Sequence, residues 1–243
     1  MKRVVFLFFT LLIFLGCEAR VYLVSVGIGD YTAYPTPVMN LKKTVPDAKT
    51  IANLYSTNTS VDYALLLDSK ATKSRILKAI KKVFNMAKED DIVVFYFSGH
   101  GYPGGFCAYD GRLSYDNIRK AMAKSKSKNK MIFADACHSG GMRITPQKTN
   151  NQINAAKNAN VMLFLASRNS ENSQELAIMD NGLFTAYLKE GLSGRADANK
   201  DKIITAKELF NYVYPIVKNL SNNEQHPVMW GKFNDNMPVM IWK

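Results

Sequence analysis

Apolar residues along this chain occur in two patterns, short continuous runs and longer amphipathic stretches. Six runs are rich in β-branched and aromatic residues and have the length of buried strands: 21–27, 62–67, 92–98, 130–136, 159–167 and 238–242. Five amphipathic stretches have the length of helices: 44–57, 72–88, 114–125, 182–192 and 205–219. Strands that alternate with helices are typical of crossover units. The pattern therefore predicts an α/β protein with a central, mainly parallel six-stranded sheet and helices on both faces.

The amino terminus has the features of an export signal. The basic "MKR" precedes "VVFLFFTLLIFLG", an apolar run of thirteen residues that matches a signal-peptide core and is short for a membrane span. Cleavage after Ala19 fits the rule of small residues at Cys17 and Ala19. We therefore expect a signal peptide at 1–19 and one domain at 20–243.

Two alternatives exist for this segment. The letters "FLGC" form an imperfect lipoprotein box, so that Cys17 could instead become a lipidated first residue. Residues 4–16 could also form a first core strand, but a clear strand pattern follows directly after them. We expect an exported protein, periplasmic or extracellular, with membrane attachment only if Cys17 carries lipid.

The net charge of the chain is strongly positive, at +12 from 32 Lys and Arg against 20 Asp and Glu. These basic residues are scattered over the helical stretches, and no nucleic-acid-binding module is recognisable. The charge therefore indicates a solvated basic surface, and we expect no nucleic-acid partner.

Two motifs with residues suited to catalysis each follow an apolar run. "FSGHG" spans 97–101 and "DACHSGG" spans 135–141. Because the carboxyl ends of parallel strands gather at one edge of a sheet, we expect His100 and Cys137 to meet there. A thiolate is a strong nucleophile and an adjacent imidazole can accept its proton, while the flanking glycines allow close backbone approach. The motifs predict nucleophilic catalysis.

Other interpretations of these residues are weaker. A single His or Cys is usually structural, and His100, Cys107, Cys137 and His138 fit no familiar zinc spacing. A disulfide between Cys107 and Cys137 would be typical of an exported protein but would inactivate the nucleophile. We expect Cys107 in a loop after the His and a free Cys137.

The combined motifs resemble those of a known family. "YFSGHG" and "DACHSGG", with "VSVGIGDY", "VPDAKTIANLY" and "NGLFTAYLKEGLSGRAD", are similar to caspase-like cysteine peptidases, especially the metacaspase-type bacterial branch, over roughly 21–243. The resemblance implies a caspase-like fold and a dyad of His100 and Cys137. It also implies an oxyanion hole made by the backbone amides of Gly101 and Cys137, with no third carboxylate and no required cofactor.

The resemblance further implies which residues select the substrate. By the metacaspase pattern, Asp47, Ser98 and Asp135 line the pocket for the residue before the cut. A carboxylate pair there would attract a long cationic side chain, so the expected partner is a protein or peptide substrate cleaved after Arg or Lys. From the sequence alone, Asp47 is equally well explained as a charge at a helix start.

Two further expectations concern regulation and an alternative function. The polar segment 141–160 predicts a surface loop and contains Arg143, Lys148 and Lys157, so self-cleavage there is a hypothesis.

The alternative function is a non-catalytic binding module that keeps the fold and acts through partner contacts or calcium.

The stretch "DANKDKIITAKE" at 197–208 has the oxygen spacing of a calcium loop. Its candidate ligands stand at positions one, three, five, nine and twelve: Asp197, Asn199, Asp201, Thr205 and Glu208. Lys202 occupies the position where such loops prefer Gly, and the alternative is a turn that caps the next helix. The acidic cluster that metacaspases often carry between the His and the Cys is reduced here to Asp110 and Asp116, which does not favour calcium activation.

Overall fold

The computed structural model describes residues 19–102, 104–136, 161–167 and 179–242. The strands in these ranges are β1 (Val21–Gly27), β2 (Val61–Leu67), β3 (Ile92–Ser98), β4 (Gly101–Tyr102), β5 (Gly105–Ala108), β6 (Gly111–Ser114), β7 (Asn129–Asp135), β8 (Val161–Leu165), β9 (Ile203–Thr205), β10 (Val228–Gly231) and β11 (Pro238–Ile241). The α-helices are α1 (Thr44–Asn58), α2 (Lys73–Phe84), α3 (Tyr115–Met122), α4 (Leu183–Glu190) and α5 (Ala206–Leu220).

A six-stranded sheet forms the centre of the fold, in the order β10-β8-β7-β3-β1-β2. Neighbouring strands are parallel from β8 to β2, and β10 pairs with β8 in the antiparallel direction. The predicted mainly parallel six-stranded α/β fold is confirmed.

Helices cover both faces of this sheet. One buried cluster joins α2 and α3 to alternate strand residues such as Tyr22 and Val24, and the other joins α1, α4 and α5 to residues such as Val21 and Leu23. Because both faces are covered, β1 and β3 are buried along their full length and contain nearly continuous apolar runs. That composition made the strands recognisable in the sequence.

The membership of the sixth strand differs from the prediction. Residues 238–241 do not join the central sheet but pair with β9 in a separate two-stranded sheet, where a bulge follows Pro238. The sixth position is taken by β10, a short edge strand that ends at Gly231. The apolar run at the carboxyl terminus has another cause, since Val239 and Met240 are buried in the cluster beneath α5.

The short strands β4, β5 and β6 form a small antiparallel sheet that the apolar pattern did not indicate. Its strands have two to four residues, too few for a periodic signal. Cys107 is a free, buried cysteine in β5, so the expectation that it lies in a loop was wrong.

Some predictions lie outside the described residues. These include most of the signal peptide at 1–19 and the whole of the segment 141–160. Across the described ranges, no helix combines the length and apolarity needed to cross a membrane.

Candidate active site

The candidate site lies at the carboxyl ends of β3 and β7. Ser98 and Asp135 are register partners at the last positions of these strands, and the Gly99 amide donates to the Asp135 carbonyl at 3.2 Å. His100 follows Ser98 by two residues. After β7 the structure describes one further residue, Ala136. Cys137 lies outside the described residues, so the pairing of His100 with Cys137 stays a prediction.

The imidazole of His100 has a defined orientation. Its Nε2 atom lies 2.7 Å from the carbonyl oxygen of Met39, and its ring packs on Tyr31 with 4.7 Å between centroids. Because a carbonyl oxygen can only accept, Nε2 is the donor and carries a proton in this contact. In the neutral ring Nδ1 is then the basic nitrogen, able to accept a thiol proton.

The loop between β1 and α1 fixes the Met39 carbonyl. The amides of Gly29 and Asp30 both donate to Asp68 Oδ1, at 2.8 and 3.0 Å, and Asp68 directly follows β2. Within the loop, the Tyr31 amide donates to Asn40 Oδ1 at 2.8 Å. The first two bonds tie the start of the loop to the residue that follows β2, and the third links residues on either side of Met39 within the loop. Sequence reasoning missed Met39, because a contact made by a backbone carbonyl leaves no side-chain signature.

Asp47 lies in the first turn of α1 and is buried, with 1% of its surface exposed. Its Oδ2 accepts from Ser98 Oγ at 2.8 Å, while Oδ1 accepts from Asn181 Nδ2 at 2.8 Å and the Gly182 amide at 3.0 Å. Gly27 allows α1 to approach this closely, since a Cβ there would lie 2.4 Å from the Thr44 carbonyl oxygen. The helix thereby brings Asp47 to the end of β3.

Asp135 is the second buried carboxylate, with 6% of its surface exposed. Its Oδ2 accepts from both the amide and the hydroxyl of Thr185, at 3.1 and 2.8 Å. The Thr185 hydroxyl also contacts Tyr96 Oη at 2.6 Å. Asp135 and Asp47 together therefore accept amides at the start of α4, where its N-cap residue Gly182 supplies no side chain of its own.

The two carboxylates are close neighbours. A Cβ at Gly182 would lie 2.6 Å from Asp135 Oδ2 and 3.2 Å from Asp47 Oδ2, so only glycine fits between them without displacement. Burial raises the pKa of Asp47 to about 7, and the negative charge of Asp135 adds to the increase. The arrangement favours a cation, which would relieve the repulsion between two ionised groups.

The structure brings together Asp47, Ser98 and Asp135, the three residues expected to form one pocket. Their role in substrate recognition stays a prediction. Sequence reasoning missed Asn181, Gly182 and Thr185, which reach the site from the start of α4. The only local signal was "NG" before an amphipathic stretch, which marks a helix start and carries no indication of a site.

A sequence model of a known family covers nearly all of these elements. The caspase domain model matches residues 23–237. This chain belongs to the caspase domain family. Members of that family act on protein substrates and are usually cysteine peptidases. The predicted relation to caspase-like peptidases is confirmed at the level of the family.

Solved structures support the same fold for this caspase-domain protein. Protein GSU0716 from Geobacter sulfurreducens has a TM-score of 0.68 at 17% identity, with 92% of this chain and 100% of that chain covered. Caspase-1 from Spodoptera frugiperda has a TM-score of 0.63 at 14% identity, with 89% and 88% covered. No curated protein matches the sequence significantly. At these identities the likeness shows the fold alone.

The predicted calcium loop of the caspase-domain protein forms a network of turns. Asp197 accepts from the amides of Asp201 and Lys202, and Glu208 accepts from Thr205 and the Ala198 amide. Thr205 and Glu208 form a capping box at the start of α5, so the capping turn is present.

Metal binding by this loop stays a prediction. Lys202 has φ of 67°, the left-handed conformation for which such loops prefer Gly. Among the described residues, no three His, Cys, Asp or Glu side chains are arranged to hold a metal ion.

Proposed function

We propose that this caspase-domain protein is an exported cysteine endopeptidase that cleaves after Arg or Lys. The observation that carries the proposal is the contact between His100 Nε2 and the Met39 carbonyl. It gives the imidazole a fixed orientation with Nδ1 as its basic nitrogen. One of the two strands paired with β3 is β7, which leads into the segment that contains Cys137.

In the proposed mechanism, Nδ1 of His100 accepts the thiol proton of Cys137. The thiolate attacks the peptide carbonyl and forms a tetrahedral intermediate. Its collapse breaks the peptide bond, and the imidazolium donates its proton to the leaving amine. Water then attacks the thioester carbon, and its proton passes through His100 to the departing sulfur. The substrate acid and the free enzyme result.

The proposed oxyanion donors are the amides of Gly101 and Cys137. Gly101 pairs with Phe106 in the β4–β5 ladder, and the adjacent Cys107 amide donates to the His100 carbonyl at 2.9 Å. Because hydrogen-bonded and non-hydrogen-bonded pairs alternate in antiparallel ladders, Gly101 and Phe106 form a non-hydrogen-bonded pair. The Gly101 amide therefore points away from β5, which supports a role as donor to a substrate oxygen.

The proposed preference for basic residues rests on Asp47 and Asp135. Two buried carboxylates beside one another are costly without a counter-charge, and a guanidinium or ammonium group would supply one. Asp47 and Asp135 also accept backbone amides at the start of α4. A cationic substrate side chain that binds these carboxylates would therefore also affect the stability of the first turn of α4.

The decisive experiment uses a thiol-reactive peptidyl-Arg probe on the purified protein. We expect labelling at Cys137 in wild type, and none in Cys137→Ala or His100→Ala variants that keep the wild-type circular dichroism spectrum. Cys107→Ala is the matched control because Cys107 is buried, and it should be labelled like wild type. A folded wild-type protein that is not labelled would favour the non-catalytic binding module.

Self-processing is part of the proposal because Arg143, Lys148 and Lys157 lie between the proposed nucleophile and β8. Intact-mass spectrometry should find cleaved fragments in wild type and a single full-length mass in Cys137→Ala. A single full-length mass for wild type, differing from that of the variant only by the substitution itself, would remove self-cleavage.

Export is likewise proposed from the amino-terminal pattern. We expect protein recovered outside the cytoplasm to begin at Arg20, or at a lipid-modified Cys17 if the lipoprotein route applies. Recovery of full-length protein only from the cytoplasm would contradict export.

A further inference from the structure

The Tyr31 hydroxyl occupies a position inside the β-ladder that carries His100. The His100 amide donates to Tyr31 Oη at 2.8 Å, and Tyr31 Oη donates to the Cys107 carbonyl at 3.3 Å. On the other side of the same pair, the Cys107 amide bonds directly to the His100 carbonyl at 2.9 Å. A regular antiparallel pair exchanges two direct bonds, so the hydroxyl replaces one of them.

This insertion is supported by the surrounding packing. Tyr31 is 2% exposed, and its ring lies between His100 and Tyr34 with centroid distances of 4.7 and 5.9 Å. Gly99 leaves room for the hydroxyl, because a Cβ there would lie 2.6 Å from Tyr31 Oη. Burial raises the pKa of Tyr31 well above its ordinary value, so the group remains protonated and can donate to Cys107.

One loop therefore contacts His100 at two points. The Met39 carbonyl contacts the imidazole, and the Tyr31 hydroxyl contacts the main-chain amide. The Asn40 side chain accepts the Tyr31 amide and links the two contacts within the loop. A change at Tyr31 would thus act on the backbone position of His100 and on the neighbouring Gly101 amide.

We propose that Tyr31 is a positioning residue that holds the β4–β5 ladder open at His100 and so sets the place of the catalytic imidazole and the Gly101 amide. The catalytic part of this inference rests on the proposed peptidase function. Without the hydroxyl, the His100 amide can bond directly to the Cys107 carbonyl. Closing the ladder in this way shifts His100 toward β5 and away from its contact with Met39.

The first test compares Tyr31→Phe with wild type, with active sites titrated by the peptidyl-Arg probe. We expect kcat per titrated site to fall by about 10- to 100-fold with little change in KM, because a small misplacement of a catalytic group costs this much. A purely structural role would reduce the number of titratable sites and leave kcat per site unchanged. That result would overturn the proposal.

Tyr55→Phe is the matched control. Tyr55 is also fully buried, and its hydroxyl donates to the Val239 carbonyl at 2.9 Å, in the cluster on the other face of the sheet. We expect it to lower thermal stability about as much as Tyr31→Phe, since each variant removes one buried hydrogen-bonding hydroxyl. Its kcat per titrated site should equal that of wild type. An equal loss of kcat in both variants would contradict a positioning role for Tyr31.

The second test needs no peptidase activity. Crystal structures of Cys137→Ala with and without Tyr31→Phe should differ at one ladder pair. We expect a direct bond from the His100 amide to the Cys107 carbonyl in the Phe variant, at about 2.9 Å. An unchanged His100 position would overturn the inference. If wild type cleaves no basic peptide, the peptidase proposal fails, while this comparison still decides whether Tyr31 holds the ladder open.

Discussion

His100 Nε2 contacts the carbonyl oxygen of Met39 at 2.7 Å, across 61 positions of sequence. A backbone carbonyl thus fixes the ring and its tautomer, which is what a carboxylate does in serine-protease triads. The contact depends on the fold of the loop and not on the side chain at position 39. This difference can be tested by mutation.

Met39→Ala should leave turnover of a basic peptide within about twofold of wild type, because the side chain is 79% exposed and the carbonyl remains. Asn40→Ala should lower kcat by about tenfold, because it removes the acceptor of the Tyr31 amide and loosens the loop. Steady-state kinetics with thermal melts of each variant provides the measurement. A larger effect at Met39 than at Asn40 would show that the side chain matters and the loop bonds do not.

Asp135→Asn should remove the preference for basic substrates. Asn keeps one oxygen that can accept from Thr185, while an NH2 group replaces the other oxygen and the charge is lost. We expect kcat/KM for an Arg peptide to fall by about a hundredfold, which is the size of effect that loss of a desolvated charge partner produces. The matched control is Asp62→Asn, in an exposed pair with Arg20. Unchanged turnover of Arg peptides by Asp135→Asn would refute the pocket assignment.

The pH dependence of specificity should follow Asp47. Its pKa is raised to about 7, so the pocket gains negative charge as the pH rises through neutrality. The ratio of kcat/KM for an Arg peptide to that for its neutral citrulline analogue should therefore increase between pH 5.5 and 8. Ionisation of His100 and Cys137 affects kcat/KM for both peptides equally, so it does not change the ratio. A flat ratio would contradict an ionising Asp47 in the pocket, and Asp47→Asn should itself give a flat ratio.

The same shift predicts an effect on stability. A carboxyl whose pKa is higher in the folded state contributes its stability below the unfolded value of 3.8 and loses it as the pH rises toward 7. Wild type should therefore lose stability relative to Asp47→Asn on going from pH 5 to pH 8. Thermal melts of the two proteins at both pH values measure this difference. A constant difference in Tm would show that Asp47 does not ionise in this range.

Calcium binding is predicted to be weak. The loop at 197–208 carries oxygen ligands at the required spacing, but Lys200 and Lys202 lie among them. We expect a dissociation constant of about 10⁻⁴ to 10⁻³ M by titration calorimetry, as in weak calcium modules. Glu208→Gln removes a ligand charge and can keep the capping box with Thr205, so it separates binding from folding. No heat from wild type would contradict calcium binding by this loop, as would equal heats from both proteins.

The local pattern of apolar and polar residues was sufficient to predict most strands and helices of the central sheet and its two faces. The runs at 21–27 and 92–98 coincide with β1 and β3, because strands buried on both faces must be apolar along their whole length. The helices were placed within a few residues for a different reason, because each carries an apolar stripe at helical spacing. The position of His100 just after β3 also follows from the order of the chain. The pocket residues came from the family resemblance, which carries information that periodicity does not.

Only the tertiary structure decided which distant groups meet. It assigned one edge of the sheet to β10, because a strand of four residues is too short to give a periodic signal in the sequence. It brought Asn181 to Asp47 across 134 positions, and the Met39 carbonyl and Tyr31 hydroxyl to His100. A sequence records which side chains are apolar, and this determines strands and helices. It does not record where a backbone carbonyl or a buried hydroxyl will lie, because those positions depend on how separate elements pack.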